Sequence, residues 1–142
     1  MLMSDIRFAD TGRFPNDTID GETVLIDTEK GYLFLFTGIG PLIWQRFGSG
    51  ISPGALVDEV KAHYGERAAE PTRTFLEALE AADMLRIDAP LDRSPAPDLV
   101  WPSEFVAPAL EQYDQIADII AMDPIHEVDS SKGWPYRQEE QR

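Results

Sequence analysis

The sequence predicts an α+β domain, a β-hairpin feeding three helices within residues 1–88, followed by an extended tail over 89–142 that carries one short helix. Three observations predict it. Two short runs rich in β-branched and aromatic residues, ETVLID at 22–27 and YLFLF at 32–36, flank a polar segment containing Gly31. Apolar residues then recur at three- and four-residue spacing through three successive stretches bounded by glycine, serine or proline. Past Asp88 this periodicity stops and prolines accumulate, at positions 90, 95, 97 and 102.

Taken in order, residues 5–9 supply a candidate third strand, and 13–20, with Pro15 and Asn16, read as loop. The connection 28–31 (TEKG) ends in a glycine able to take positive φ, so 22–27 and 32–36 pair as a hairpin. Ile39, Leu42, Ile43 and Phe47 mark the first helix, with Thr37 as its N-cap and Gly48 and Gly50 as stop signals. Ser52-Pro53, a cap followed by an N1 proline, opens the second, whose apolar face is Leu56, Val57, Val60 and Tyr64 up to Gly65. The third starts near Pro71 or Thr72 and carries Phe75, Leu76, Leu79 and Ala82, after which 84–87 (MLRI) is a short extended segment. Residues 89–104 form a semi-rigid proline-rich linker. Residues 105–142 form a leader-like or partner-binding tail, with a helical stripe over 108–122 of Tyr113, Ile116, Ala117, Ile119 and Ile120.

Composition excludes several classes of function. Acidic residues outnumber basic ones 26 to 12, a net charge of −14. The excess is shared evenly, −7 in residues 1–88 and −7 in 89–142. Such a surface repels phosphate backbones and anionic headgroups, so nucleic-acid and membrane partners are not expected. With no cysteine there is neither a disulfide framework nor a thiolate metal site. The first residues lack a basic segment followed by an apolar one, and no apolar run spans a bilayer, so a soluble cytoplasmic protein is expected. No nucleophile constellation, phosphate-binding glycine loop or paired-acid signature occurs, and neither catalysis nor a cofactor is expected. Asp123, His126, Glu127 and Asp129 invite a metal reading, but the only other histidine is His63, far away in the folded half, and no metal site is assigned.

The run YLFLFTGIGPLIWQRF (32–47) resembles the strand-to-helix segment of the PqqD-like proteins, with Thr37, Gly40, Ile43 and Trp44 at the motif positions. That family usually has asparagine where this chain has Thr37. TRTFLEALEAADML (72–85) is similar to the family's phenylalanine-leucine helix, with Asp83 replacing the glycine of its closing glycine-leucine pair. The resemblance implies a winged-helix-like fold, a three-stranded antiparallel sheet followed by three helices. It also implies the activity of a RiPP recognition element, the binding of the leader of a ribosomally synthesised and post-translationally modified peptide. In such proteins the leader adds as a strand and packs against the third helix. The peptide-binding residues it points to are Leu33, Phe34, Leu35 and Phe36 on the strand and Thr72, Phe75, Leu76 and Leu79 on the helix. Along 32–36 the side chains alternate between two apolar faces, more than one small core requires. The protein's own helices covering both faces is the alternative to an open groove. Trp44 is assigned to the core.

In the tail, Phe105, Pro108 and Leu110 form an aromatic-x-x-Pro-x-Leu pattern. It resembles the tyrosine-x-x-proline-x-leucine leader motif bound by recognition elements of lasso-peptide systems, whose later glycine and threonine are Asp114 and Ile120 here. The first functional reading is therefore a peptide chaperone that binds a precursor leader, in trans or from its own tail, and presents it to a RiPP-modifying enzyme. A second makes the chain a precursor fused to its own recognition element, with the tail as substrate. A third, from another class, is a winged-helix DNA-binding regulator. Its recognition helix would offer Arg73 against Glu77, Glu80 and Asp83, which argues against it. An open edge strand plus a leader-like tail also admits a tail-swapped homodimer.

Overall fold

A computed structural model describes residues 3–89 and 98–114. At its centre is the expected hairpin, β3 (Glu22–Ile26) and β4 (Leu33–Thr37), antiparallel with Val24 opposite Leu35 and Leu25 opposite Phe34. Its turn closes as expected at Gly31, whose φ of 77° no β-branched residue would tolerate and whose N–H reaches the Asp27 carbonyl at 2.7 Å.

Two expectations about strands are corrected. Residues 13–20 are not all loop, because β2 (Asn16–Ile19) pairs antiparallel with β3. All four of its residues are exposed, so it has no apolar alternation to betray it. It is defined by the two-residue turn Asp20-Gly21, both at positive φ, a geometry that matches strand twist. The segment near residue 5 does yield β1 (Phe8–Ala9), but this pairs with β5 (Leu85–Arg86) in a separate two-stranded sheet. The main sheet has four strands rather than three, in the order β2-β3-β4-β6.

Strand β6 (Ala109–Tyr113) comes from the tail, where a helix over 108–122 was expected. A proline's φ suits an extended chain as well as a first helical turn, and here Pro108 precedes a strand. Residues 115–122 lie outside the described residues, as do Asp123, His126, Glu127 and Asp129.

Helix α1 (Gly40–Ser49) is capped by Ile39 rather than by Thr37, which instead ends β4. Gly38 at φ 63° makes the turn between them. Helix α2 (Pro53–Tyr64) starts as expected, with Ser52 Oγ accepting from Ala55 N–H at 3.2 Å and Pro53 in the first turn. A short 3-10 turn (Glu66–Ala68) leads into α3 (Ala69–Ala81), which begins before Pro71 because a proline is tolerated within the first turn. Asp83, where the PqqD-like pattern has glycine, adopts φ 65°, the conformation that glycine would supply without strain.

The core lies between the helices and one face of the hairpin. Phe34 and Phe36 point into it, meeting Ile43, Trp44 and Phe47 of α1, Leu56 and Val60 of α2, and Leu76 and Leu79 of α3. The Phe36 ring stands edge-on to Trp44 at 5.6 Å and to Phe75 at 5.3 Å. Leu33 and Leu35 lie on the opposite face, half-buried beside Val24. A partly buried ion-pair network ties the hairpin turn to the end of α3. Asp27 accepts from Arg13 through both carboxylate oxygens, at 3.1 and 3.0 Å, and from the Glu29 and Lys30 amides. Arg13 donates onward to Asp83 at 2.9 Å. Arg13 and these amides hold the Asp27 carboxyl below its ordinary range against the opposing effect of burial.

Candidate peptide-binding site

Without its tail strand the main sheet, β2-β3-β4, has two edges. On one, β2 is short, polar and exposed, the usual protection against unwanted strand pairing. On the other, β4 would present a row of unpaired N–H and C=O groups, and β6 occupies it. The tail arrives where β4 gives way to α1: the Val106 carbonyl accepts the Ile39 N–H at 3.1 Å. A side chain on Gly38 would overlap the Ala107 carbonyl oxygen, so backbone approaches backbone there as only glycine permits. At the other end Gln112 shares an open depression with Tyr32 and Phe34 of the hairpin and Ala81 and Ala82 at the end of α3. The segment thus runs back along β4 towards the C-terminal end of α3.

Burial along the segment has a definite pattern. Pro108 is buried, Phe105 and Leu110 are half-buried and pack on the core, and Val106, Ala107, Ala109, Glu111 and Gln112 are exposed. These inward residues are the three of the aromatic-x-x-Pro-x-Leu pattern. Of the residues expected on the domain side, Phe34, Phe36, Phe75, Leu76, Leu79 and Thr72 are buried, and Leu33 and Leu35 are half-buried. Among the described residues Thr72 Oγ1 has no hydrogen-bond partner.

Other contacts were not anticipated from sequence. Trp101 Nε1–H donates to Glu59 Oε2 at 3.0 Å, and Glu59 Oε1 accepts from Arg46 Nε at 3.2 Å. The Tyr64 hydroxyl donates to the Pro102 carbonyl at 2.6 Å, with His63 Nε2 at 3.3 Å from the same oxygen. The Phe105 ring lies 5.1 Å from that of Tyr64, with the Arg67 guanidinium 5.7 Å above it. Burial pushes the Tyr64 phenol above its ordinary value. Tyr64 was legible as part of an apolar helical face, but its hydroxyl's partner was not. The signal in the sequence was a tryptophan beside a proline in a proline-rich stretch.

Among the described residues no cluster of three or more His, Asp or Glu is placed to hold a metal ion. No described helix is long and apolar enough to cross a membrane. Residues 22–85 match the family model of coenzyme PQQ synthesis protein D (PqqD), from the start of β3 into β5, so the tail strand falls outside the match. No curated protein and no solved structure matches the chain significantly.

Proposed function

We propose, from the premise that residues 22–85 are a domain of the PqqD family of precursor-peptide recognition domains, that this chain binds the leader of a ribosomally made peptide by strand addition and presents it to a modifying enzyme. Domains of this family are non-catalytic accessories, so the chemistry falls to the separate enzyme. In this reading the scaffold is winged-helix-like. The leader pairs with the main chain of Leu33–Phe36, and α3 supplies the flank through Thr72, Phe75, Leu76 and Leu79. The observation that carries the reading is the seating of β6 on β4, since an edge that accepts one extended segment has the hydrogen-bond geometry to accept another. A DNA-binding role has less support: Arg73 of α3 pairs with Glu70 at 3.7 Å beside Glu77 and Glu80, an acidic surface in a chain of charge −14.

Co-expression with the enzymes and short peptides encoded beside it, read by mass spectrometry, tests the proposal. A peptide mass change that requires this chain supports it. Modification at an undiminished rate without the chain would overturn it.

A further inference from the structure

Strand addition alone leaves a problem of register. Main-chain pairing is nearly indifferent to sequence, and a slip of one residue turns every side chain to the other face. Something must decide which residue of the added strand lies opposite Ile39, and the contacts upstream of β6 are suited to this.

We propose that Glu59, Tyr64 and Arg67 form a second recognition subsite, one that reads Trp-Pro followed three residues later by an aromatic ring, and that its resident occupant is this chain's own segment from Trp101 to Phe105. The proposal rests on the strand-addition reading and deepens it. Each element of the motif meets a matching group. An indole has a single N–H donor, and Glu59 receives it with a carboxylate whose other oxygen is held by Arg46, so the acceptor is oriented before the peptide arrives. Phenylalanine has no such donor, and tyrosine would carry its donor at a different point. The Pro102 carbonyl takes the Tyr64 hydroxyl, and the ring of the same tyrosine lies 5.1 Å from that of Phe105, over which the Arg67 guanidinium sits at 5.7 Å. Ser103 and Glu104, between the anchors, are exposed and serve as spacers. Immediately downstream, Val106 accepts the Ile39 amide, so fixing Phe105 against Tyr64 fixes the register of all that follows. Tethering places the motif at an effective concentration in roughly the millimolar range, so a leader supplied in trans must compete with it.

The test uses the full-length chain and a labelled synthetic peptide of residues 99–113. In a chain carrying Phe105→Asp and Leu110→Asp, which weakens both parts of the resident contact, the peptide should bind at least about tenfold more tightly than to the wild type. In that background, Glu59→Gln in the protein or Trp101→Phe in the peptide should each weaken binding about tenfold, and the two together should cost little more than either alone. If the Trp101→Phe peptide binds as tightly as the unaltered one, the subsite is wrong and strand addition stands. Equal losses from Glu59→Gln for both peptides would make Glu59 a structural residue and likewise overturn the subsite. Failure of every peptide to bind the folded Phe105→Asp/Leu110→Asp chain would bring down strand addition itself.

Discussion

Asp27 shows how one carboxylate joins local and long-range structure. It closes its own turn through the Glu29 and Lys30 amides, and through Arg13 it reaches Asp83, 70 residues from Arg13 in sequence. Its folded pKa lies below the ordinary 3.8, so the stability it contributes is present above about pH 4 and is lost as pH falls from 3.8 through the folded value. Asp27→Asn should lower the melting temperature at pH 7 by roughly 5 °C, with the gap to wild type narrowing as the pH falls below 3.8. Melting curves across that range check both the size and the sign. Thr72 poses the opposite case, a buried hydroxyl with no partner among the described residues. Thr72→Val keeps the shape and removes the unmet group, so it should stabilise the fold by up to about 1 kcal/mol in denaturant titration. If that hydroxyl awaits a bound peptide, the same variant should also weaken peptide binding.

Among the elements, α3 and the β4–α1 turn matter most to the site. Leu76 is wholly buried in the core cluster, so Leu76→Asp places a carboxylate among apolar side chains and should unfold the domain rather than merely abolish binding. Circular dichroism of the variant distinguishes the two. For a residue proposed to line a groove, that burial makes Leu76 a core residue first. Gly38→Ala is the cleaner perturbation. It costs about 1 kcal/mol for a non-glycine residue at φ 63° and drives a methyl group into the Ala107 carbonyl. The expected outcome is a folded domain whose Ile39 amide exchanges faster with solvent than in the wild type, as hydrogen exchange would report.

For the molecule as a whole, the tail contributes to the fold as well as to the site, because Trp101, Phe105 and Leu110 pack on the core that residues 1–88 build. A chain ending at residue 89 should still fold, since the buried cluster draws on all three helices and the hairpin without the tail. It should melt several degrees lower and, with β4 now an open edge, associate as concentration rises. Calorimetry and size-exclusion chromatography at two concentrations test these outcomes. A truncated chain that stayed monomeric with unchanged stability would show that the tail seals nothing.

The hairpin, the caps of α2 and the burial of its Leu56, Val57, Val60 and Tyr64 were all legible in the sequence, because period, proline and glycine act within a few residues of themselves. So was the tail motif, as a pattern. Strand β2 was not, since a wholly exposed strand leaves no hydrophobic trace, although its Asp20-Gly21 turn was there to read. Nor was β6, whose residues fit a helical stripe in isolation and become a strand only because an unfilled sheet edge offers them partners. The pairing of Trp101 with Glu59, 42 residues apart, and of β1 with β5 belongs to the same class. Local chemistry decides what a segment can become, whereas hydrogen-bond partners brought from a distance decide what it is.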